Sequence, residues 1–86
     1  MHTVEMLEEA CKVAESMGYH VRHEWLGGSG GGACEFAGRK WLFVDLALNA
    51  IEQLEQVTEA LRDDPGIFTA PLSPPLQQLW GVRRAA

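Results

Sequence analysis

The sequence predicts an α+β domain of order α-β-β-β-α, a three-stranded antiparallel meander packed against two helices, followed by an apolar C-terminal tail with a short helix. Three observations carry this. Two segments, near residues 4–17 and 50–61, repeat apolar residues at helical spacing. The chain between them alternates apolar and polar residues in strand-length runs. All four prolines lie beyond residue 64, in a stretch that keeps Ile67, Phe68, Leu72, Leu76, Leu79, Trp80 and Val82.

The first helix takes Thr3 as its expected N-cap. Val4, Leu7, Cys11 and Ala14 form its apolar stripe, with Ala10 and Met17 beside them. Glu5, Glu8, Glu9, Lys12 and Glu15 occupy the opposite side, and Gly18 supplies the stop. The first strand alternates, with Tyr19, Val21, His23 and Trp25 expected inward and His20, Arg22 and Glu24 outward. A glycine-rich stretch from Gly27 to Gly32 follows.

A hairpin comes next, from Cys34 to Asp45, turning at Ala37-Gly38 or Gly38-Arg39. The first turn sets Cys34 opposite Trp41 and Glu35 opposite Lys40; the second sets Phe36 opposite Trp41. Either register leaves Cys34, Phe36, Trp41 and Phe43 on one face, expected to meet the helices. Leu42 and Val44, with Leu26, then fall on the other face. A sheet face open to water should be polar, so that second face is expected to be covered.

The second helix opens with the capping-box pattern Asn49-Ala50-Ile51-Glu52. Its stripe is Ala50, Leu54, Val57 and Leu61, and Pro65-Gly66 ends it. Asp63 and Asp64 sit at the negative end of the helix dipole and call for a cation, for which Arg83 and Arg84 are candidates. Ile67–Ala70 reads as extended. Ser73-Pro74-Pro75-Leu76-Gln77-Gln78-Leu79-Trp80 reads as a helix with a Ser N-cap, Pro at the first position and Gly81 as its stop. Residues 1–64 are thus expected to form one α+β domain, and 65–86 a tail docking on the sheet or on a second protomer.

The order α-β-β-β-α is similar to that of double-stranded-RNA-binding domains, which read RNA shape through phosphate and 2′-OH contacts. That family carries a lysine cluster at the start of its second helix. Here the corresponding residues are Asn49-Ala50-Ile51-Glu52-Gln53, and the 86-residue chain has a net charge of −5. No nucleic-acid partner is therefore expected. The N-terminus shows no signal-peptide pattern, and no apolar run approaches membrane-spanning length, so a cytoplasmic protein with no membrane partner is expected.

Each chemistry-bearing residue has an ordinary structural reading. His20 and His23 are three apart on a strand and point to opposite faces, so they do not share a metal. Cys34 with His23 as base would make a nucleophile, but an inward Cys34 beside Phe36 would be inert. Glu24 and Glu35 are expected to pair across strands with Arg22, Arg39 or Lys40. No catalytic residue, metal or cofactor is expected.

The functional expectation is a small non-enzymatic protein–protein interaction domain, most simply a homodimer. Its interface would be Leu42, Val44, Phe68, Leu72, Leu76, Leu79 and Trp80. The alternative is a small-molecule or anion-binding module, with Gly28, Ser29, Gly30 and Gly31 folding over the ligand.

Overall fold

The computed structural model describes residues 2–82. It contains α1 (Thr3–Ser16), β1 (Tyr19–Glu24), β2 (Gly32–Phe36), β3 (Arg39–Asp45), α2 (Ala50–Leu61), a 3-10 turn (Pro65–Phe68) and α3 (Pro74–Trp80). The α+β class is as expected, but the sheet is not an antiparallel meander.

The strand order is β1-β3-β2, with β3 in the centre. β2 and β3 are antiparallel, with Cys34 opposite Trp41 and Phe36 opposite Arg39. Ala37 and Gly38 form the turn, both at positive φ (53° and 77°). Two such residues give a type I′ turn, whose twist matches that of the strands it joins. β1 runs parallel to β3, with Val21 opposite Leu42 and His23 opposite Val44. A parallel neighbour cannot follow from a tight turn. The glycine-rich stretch therefore carries the chain across the end of β3 to the far edge of the sheet.

The face assignment of the hairpin is reversed. Leu42 and Val44 have no exposed surface and lie in the core with Leu7, Ala10, Cys11, Val13, Ala14, Leu54, Val57 and Leu61. Tyr19 and Val21, inward as expected, pack beside them. Cys34 and Phe36 are exposed, and Trp41 and Phe43 are half-buried on the opposite side. Trp25, expected inward, is 74% exposed. The slim helices explain the choice, because Ala10, Cys11 and Ala14 bring α1 close over small aliphatic side chains. Two large rings from β3 have no room in such an interface.

The helices begin and end largely where local chemistry places them. Asn49 accepts from the Glu52 N–H at 2.9 Å, while the Glu52 carboxylate accepts from the Asn49 N–H at 3.0 Å, which completes the capping box. α1 starts one residue earlier than expected, with His2 at the N-cap and no side-chain cap. Ser73 is the N-cap of α3, with Pro74 next and Gly81 left-handed at its end (φ 68°). Ile67–Ala70 is not extended. Asp64 instead caps the 3-10 turn by accepting from the Gly66 N–H at 2.9 Å, and Ile67 is buried.

The tail packs on the helices of its own chain. The Ser73 N–H and hydroxyl both donate to the Glu9 carboxylate of α1, at 2.8 and 2.6 Å. The Trp80 indole N–H donates to the Thr58 hydroxyl of α2 at 2.8 Å. Leu72, Leu76 and Val82 are buried there. The outer face of the sheet is left uncovered by any described residue.

Candidate functional site

The glycine loop is held by one carboxylate. Asp45 ends β3 with no exposed surface. Its Oδ1 accepts from the Leu26 and Ala47 amides, both at 2.9 Å, and its Oδ2 accepts from the Gly28 amide at 2.7 Å. Burial alone would raise the pKa of this group. Backbone donors Ala47, Leu26, Gly28 and Gly30 outweigh that and hold it below the usual carboxylate range.

Gln56 of α2 closes the second half of the clamp. Its Oε1 accepts from the Asp45 N–H and its Nε2 donates to the Gly30 carbonyl, both at 2.8 Å. Gly31 lies against this amide at φ 102°, and a Cβ there would stand 2.8 Å from the Phe43 carbonyl as well as against Gln56. Only glycine fits such an approach in that conformation. Among the proposed ligand residues, Gly28 thus already spends its amide on Asp45, Gly30 its carbonyl on Gln56, and Gly31 packs against backbone. The chain's own carboxylate occupies the position an anion would take.

The second feature is the outer sheet face. Trp41 stacks on Phe43 at 6.0 Å between ring centroids and 14° between planes. His20 of β1 tilts onto the other side of Trp41 at 5.0 Å. Arg22, Cys34 and Phe36 join Trp41 and Phe43 around a shallow, mainly apolar depression of about 430 Å³. Phe36 is 73% exposed. None of these lining residues is a carboxylate; Glu24, next along β1 on the same face, accepts from the Arg22 guanidinium at 2.7 Å. The helical layer is the acidic one, carrying Glu5, Glu8, Glu9, Glu15, Glu52, Glu55 and Glu59.

The residues expected at an interface are scattered. Leu42 and Val44 are sealed inside the domain, Leu72 and Leu76 of the tail are buried against the helices, and Trp80 is half-buried against Thr58. Phe68 and Leu79 remain exposed, on the helical side rather than on the sheet. The outer surface belongs instead to Cys34, Phe36, Trp41 and Phe43. Strand parity groups those four correctly, but the face was expected to meet the helices.

The remaining chemical groups do not converge. Glu24 and Glu35 stand on opposite edge strands and opposite faces. Among the described residues, no three His, Cys, Asp or Glu side chains are placed to hold a metal. The expected cation for the Asp63–Asp64 pair comes from the sheet: Lys40 reaches Asp64 at 3.1 Å, and the Tyr19 hydroxyl donates to the same oxygen at 2.7 Å. Gly66, Tyr19 and Lys40 together hold the Asp64 carboxyl below its ordinary range, against some burial. Burial and the bond to Asp64 push the Tyr19 hydroxyl up to about 12. Arg83 and Arg84 lie outside the described residues.

The two thiols separate cleanly. Cys11 is buried, and burial with the nearby Glu15 pushes it up to about 11; its sulfur lies 4.0 Å from the His23 Nε2. Cys34 is exposed. A thiol reagent at neutral pH is expected to modify one cysteine quickly in the folded protein, at concentrations low enough to keep it monomeric, and the second only on denaturation. Peptide mapping should place the fast label on Cys34; a fast label on Cys11 would contradict the burial of α1.

The architecture defines a two-layer α+β domain with a mixed three-stranded sheet and one bare face. Among the described residues, no helix is long and apolar enough to cross a membrane. No family model, curated protein or solved structure matches the chain.

Proposed function

We propose that the protein is a small non-enzymatic interaction domain that self-associates through the outer face of its sheet. The observation that carries this is the uncovered strip of Cys34, Phe36, Trp41 and Phe43. Such faces are ordinarily polar when they meet water, and aromatic anchors dominate binding energy where they meet a partner.

Charge favours a second copy as the occupant. The chain is acidic overall, yet this face presents one accessible carboxylate, Glu24, paired with Arg22, while Asp45 is buried under the glycine loop. Two copies meeting face to face keep their acidic helices apart and bring little like charge together. A symmetric pair is the commonest closed assembly. Leu72, Leu76 and Val82 of the tail are used within the chain, which favours the sheet face over the tail as the interface. The sheet face is favoured over a ligand under the glycine loop, since Asp45 already takes the Gly28 N–H and Gln56 the Gly30 carbonyl.

Sedimentation or light scattering at micromolar concentration tests the proposal. The expected mass is twice the 9.5 kDa of the chain. Phe36→Glu, at an exposed position, should weaken association about tenfold or more without unfolding the domain. A wild-type monomer at all concentrations, or a dimer indifferent to Phe36→Glu, would overturn it.

A further inference from the structure

We infer that the open edge of β2 accepts an extended peptide strand in which basic and apolar residues alternate. This edge adjoins the sheet face of the proposed dimer at Cys34 and Phe36, but its backbone groups and the α2 glutamates lie outside that face.

β2 has β3 on one side and no described neighbour on the other. The closing pair of a two-residue hairpin is the hydrogen-bonded pair, here Phe36 and Arg39. Alternation along the ladder then makes Cys34–Trp41 and Gly32–Phe43 hydrogen-bonded pairs as well. Ala33 and Glu35 are therefore the residues that turn their N–H and C=O groups to the open edge. Strand addition to such an edge is a recurrent mode of peptide recognition, with backbone bonds supplying affinity and alternate side chains supplying specificity.

The surroundings leave room for that strand. An open cleft of about 710 Å³ runs between the start of β2 and α2, lined by Gly31, Gly32 and Ala33 on one side and by Glu52, Glu55 and Glu59 on the other. The β2 wall has no side chain larger than a methyl group, so a backbone can come close. Charged or bulky residues normally protect an exposed edge, and this half of β2 has neither.

The two faces of the added strand would meet different chemistry. Side chains on the helix side would lie beside the α2 glutamates, and Glu35 projects on that side too, opposite Lys40. Among the described residues no cation reaches Glu52 or Glu55, while Glu59 has only the exposed Arg62 at 3.1 Å. Lysine or arginine is the complementary choice there. Side chains on the other side would continue the apolar surface of Cys34 and Phe36. A two-residue alternation of basic and apolar groups satisfies both.

The test uses the full chain and synthetic peptides of about six residues, a typical strand length. Alternating Lys-Val, alternating Glu-Val, and Lys-Val N-methylated at every second amide are titrated by calorimetry. Only the unmethylated Lys-Val peptide is expected to bind, more weakly as salt rises. The double charge reversal Glu55→Lys with Glu59→Lys should weaken it about tenfold. Ala33→Pro, which removes an edge N–H but no bond to β3, should also abolish binding while leaving the unfolding temperature close to wild type. If Ala33→Pro does not fold, the N-methylated peptide still decides. Equal binding of the methylated peptide would reduce the effect to charge alone and overturn strand addition. Equal binding of the Glu-Val peptide, or no binding by Lys-Val, would overturn it as well. Ala33→Pro separates the two readings, since it should abolish peptide binding while leaving the dimer's mass unchanged.

Discussion

Replacing Leu42 by alanine is expected to lower the stability of the domain by about 2–5 kcal/mol, whereas replacing the neighbouring-strand residue Phe36 by alanine should change it by about 0.5 kcal/mol or less. Leu42 is fully buried at the centre of the middle strand. Removing its isobutyl group forfeits the transfer energy and leaves a cavity between β3 and the helices. A domain of this size has roughly 4–13 kcal/mol to lose, so the variant should be visibly crippled. Phe36, although the larger side chain, is 73% exposed at the edge of the bare face. Urea unfolding of the two variants at one protein concentration reads the difference. A costly Phe36→Ala beside a silent Leu42→Ala would mean that the sheet presents its other face to the helices. The comparison should be made below the dimer's dissociation constant, because association through Phe36 would otherwise add to its apparent stability.

The second large effect belongs to Asp45. Asn at this position keeps the shape but has a single acceptor oxygen, and its amide nitrogen would face a backbone N–H. Bonds to Leu26 and Ala47 on one oxygen and to Gly28 on the other cannot all survive. Asp45→Asn should therefore release the glycine loop and destabilise the domain well beyond an exposed control such as Glu8→Gln. The pH dependence follows from the sign of the shift. The folded pKa is depressed, so the stabilisation is fully present above the unfolded carboxylate value of about 3.9 and is lost as pH falls through the lower folded value. The gap between wild type and Asp45→Asn should be constant near neutrality and narrow below about pH 4. Asp64, depressed as well, adds to the acid loss in both proteins, so the variant keeps part of that limb. Denaturant midpoints measured from neutral to acidic pH check this. A gap that holds its full size far into the acid range would mean that charge on Asp45 is not what binds the loop.

Much of the local structure was legible in the residues themselves. The Asn49–Glu52 box, the Ser73-Pro74 start and the Gly81 stop each concern neighbours along the chain, where type and spacing decide the geometry. The grouping of Cys34, Phe36, Trp41 and Phe43 was equally legible, because strand parity fixes it in either hairpin register. Which way that group faces was not. The glycine loop breaks the parity count between β1 and β2, so nothing local ties the inward Val21 to Leu42. Periodicity alone does not say which of two apolar faces turns to the helices.

The clamp and the tail were hidden for a related reason. Asp45 is bound by residues up to 19 positions away, and Glu9 meets Ser73 across 64. A single acidic residue at a strand end carries no mark of such partners. The run of glycines was visible, but their purpose emerges only with Phe43 and Gln56 beside Gly31. The sequence placed Leu42 and Val44 on the outer face, where the structure places Cys34, Phe36, Trp41 and Phe43.

The central position of β3 also bears on how the chain is made. Strand β1 has only one partner in the sheet, and that partner lies between residues 39 and 45. During synthesis, β1 emerges before the strand it pairs with has been added. The apolar side of α1 must likewise wait for Leu54, Val57 and Leu61. The hairpin of β2 and β3 closes from adjacent residues, so it can form first and present a finished edge. The N-terminal helix and strand then dock onto a surface built by later residues, with the glycine stretch as the slack that lets them swing into place.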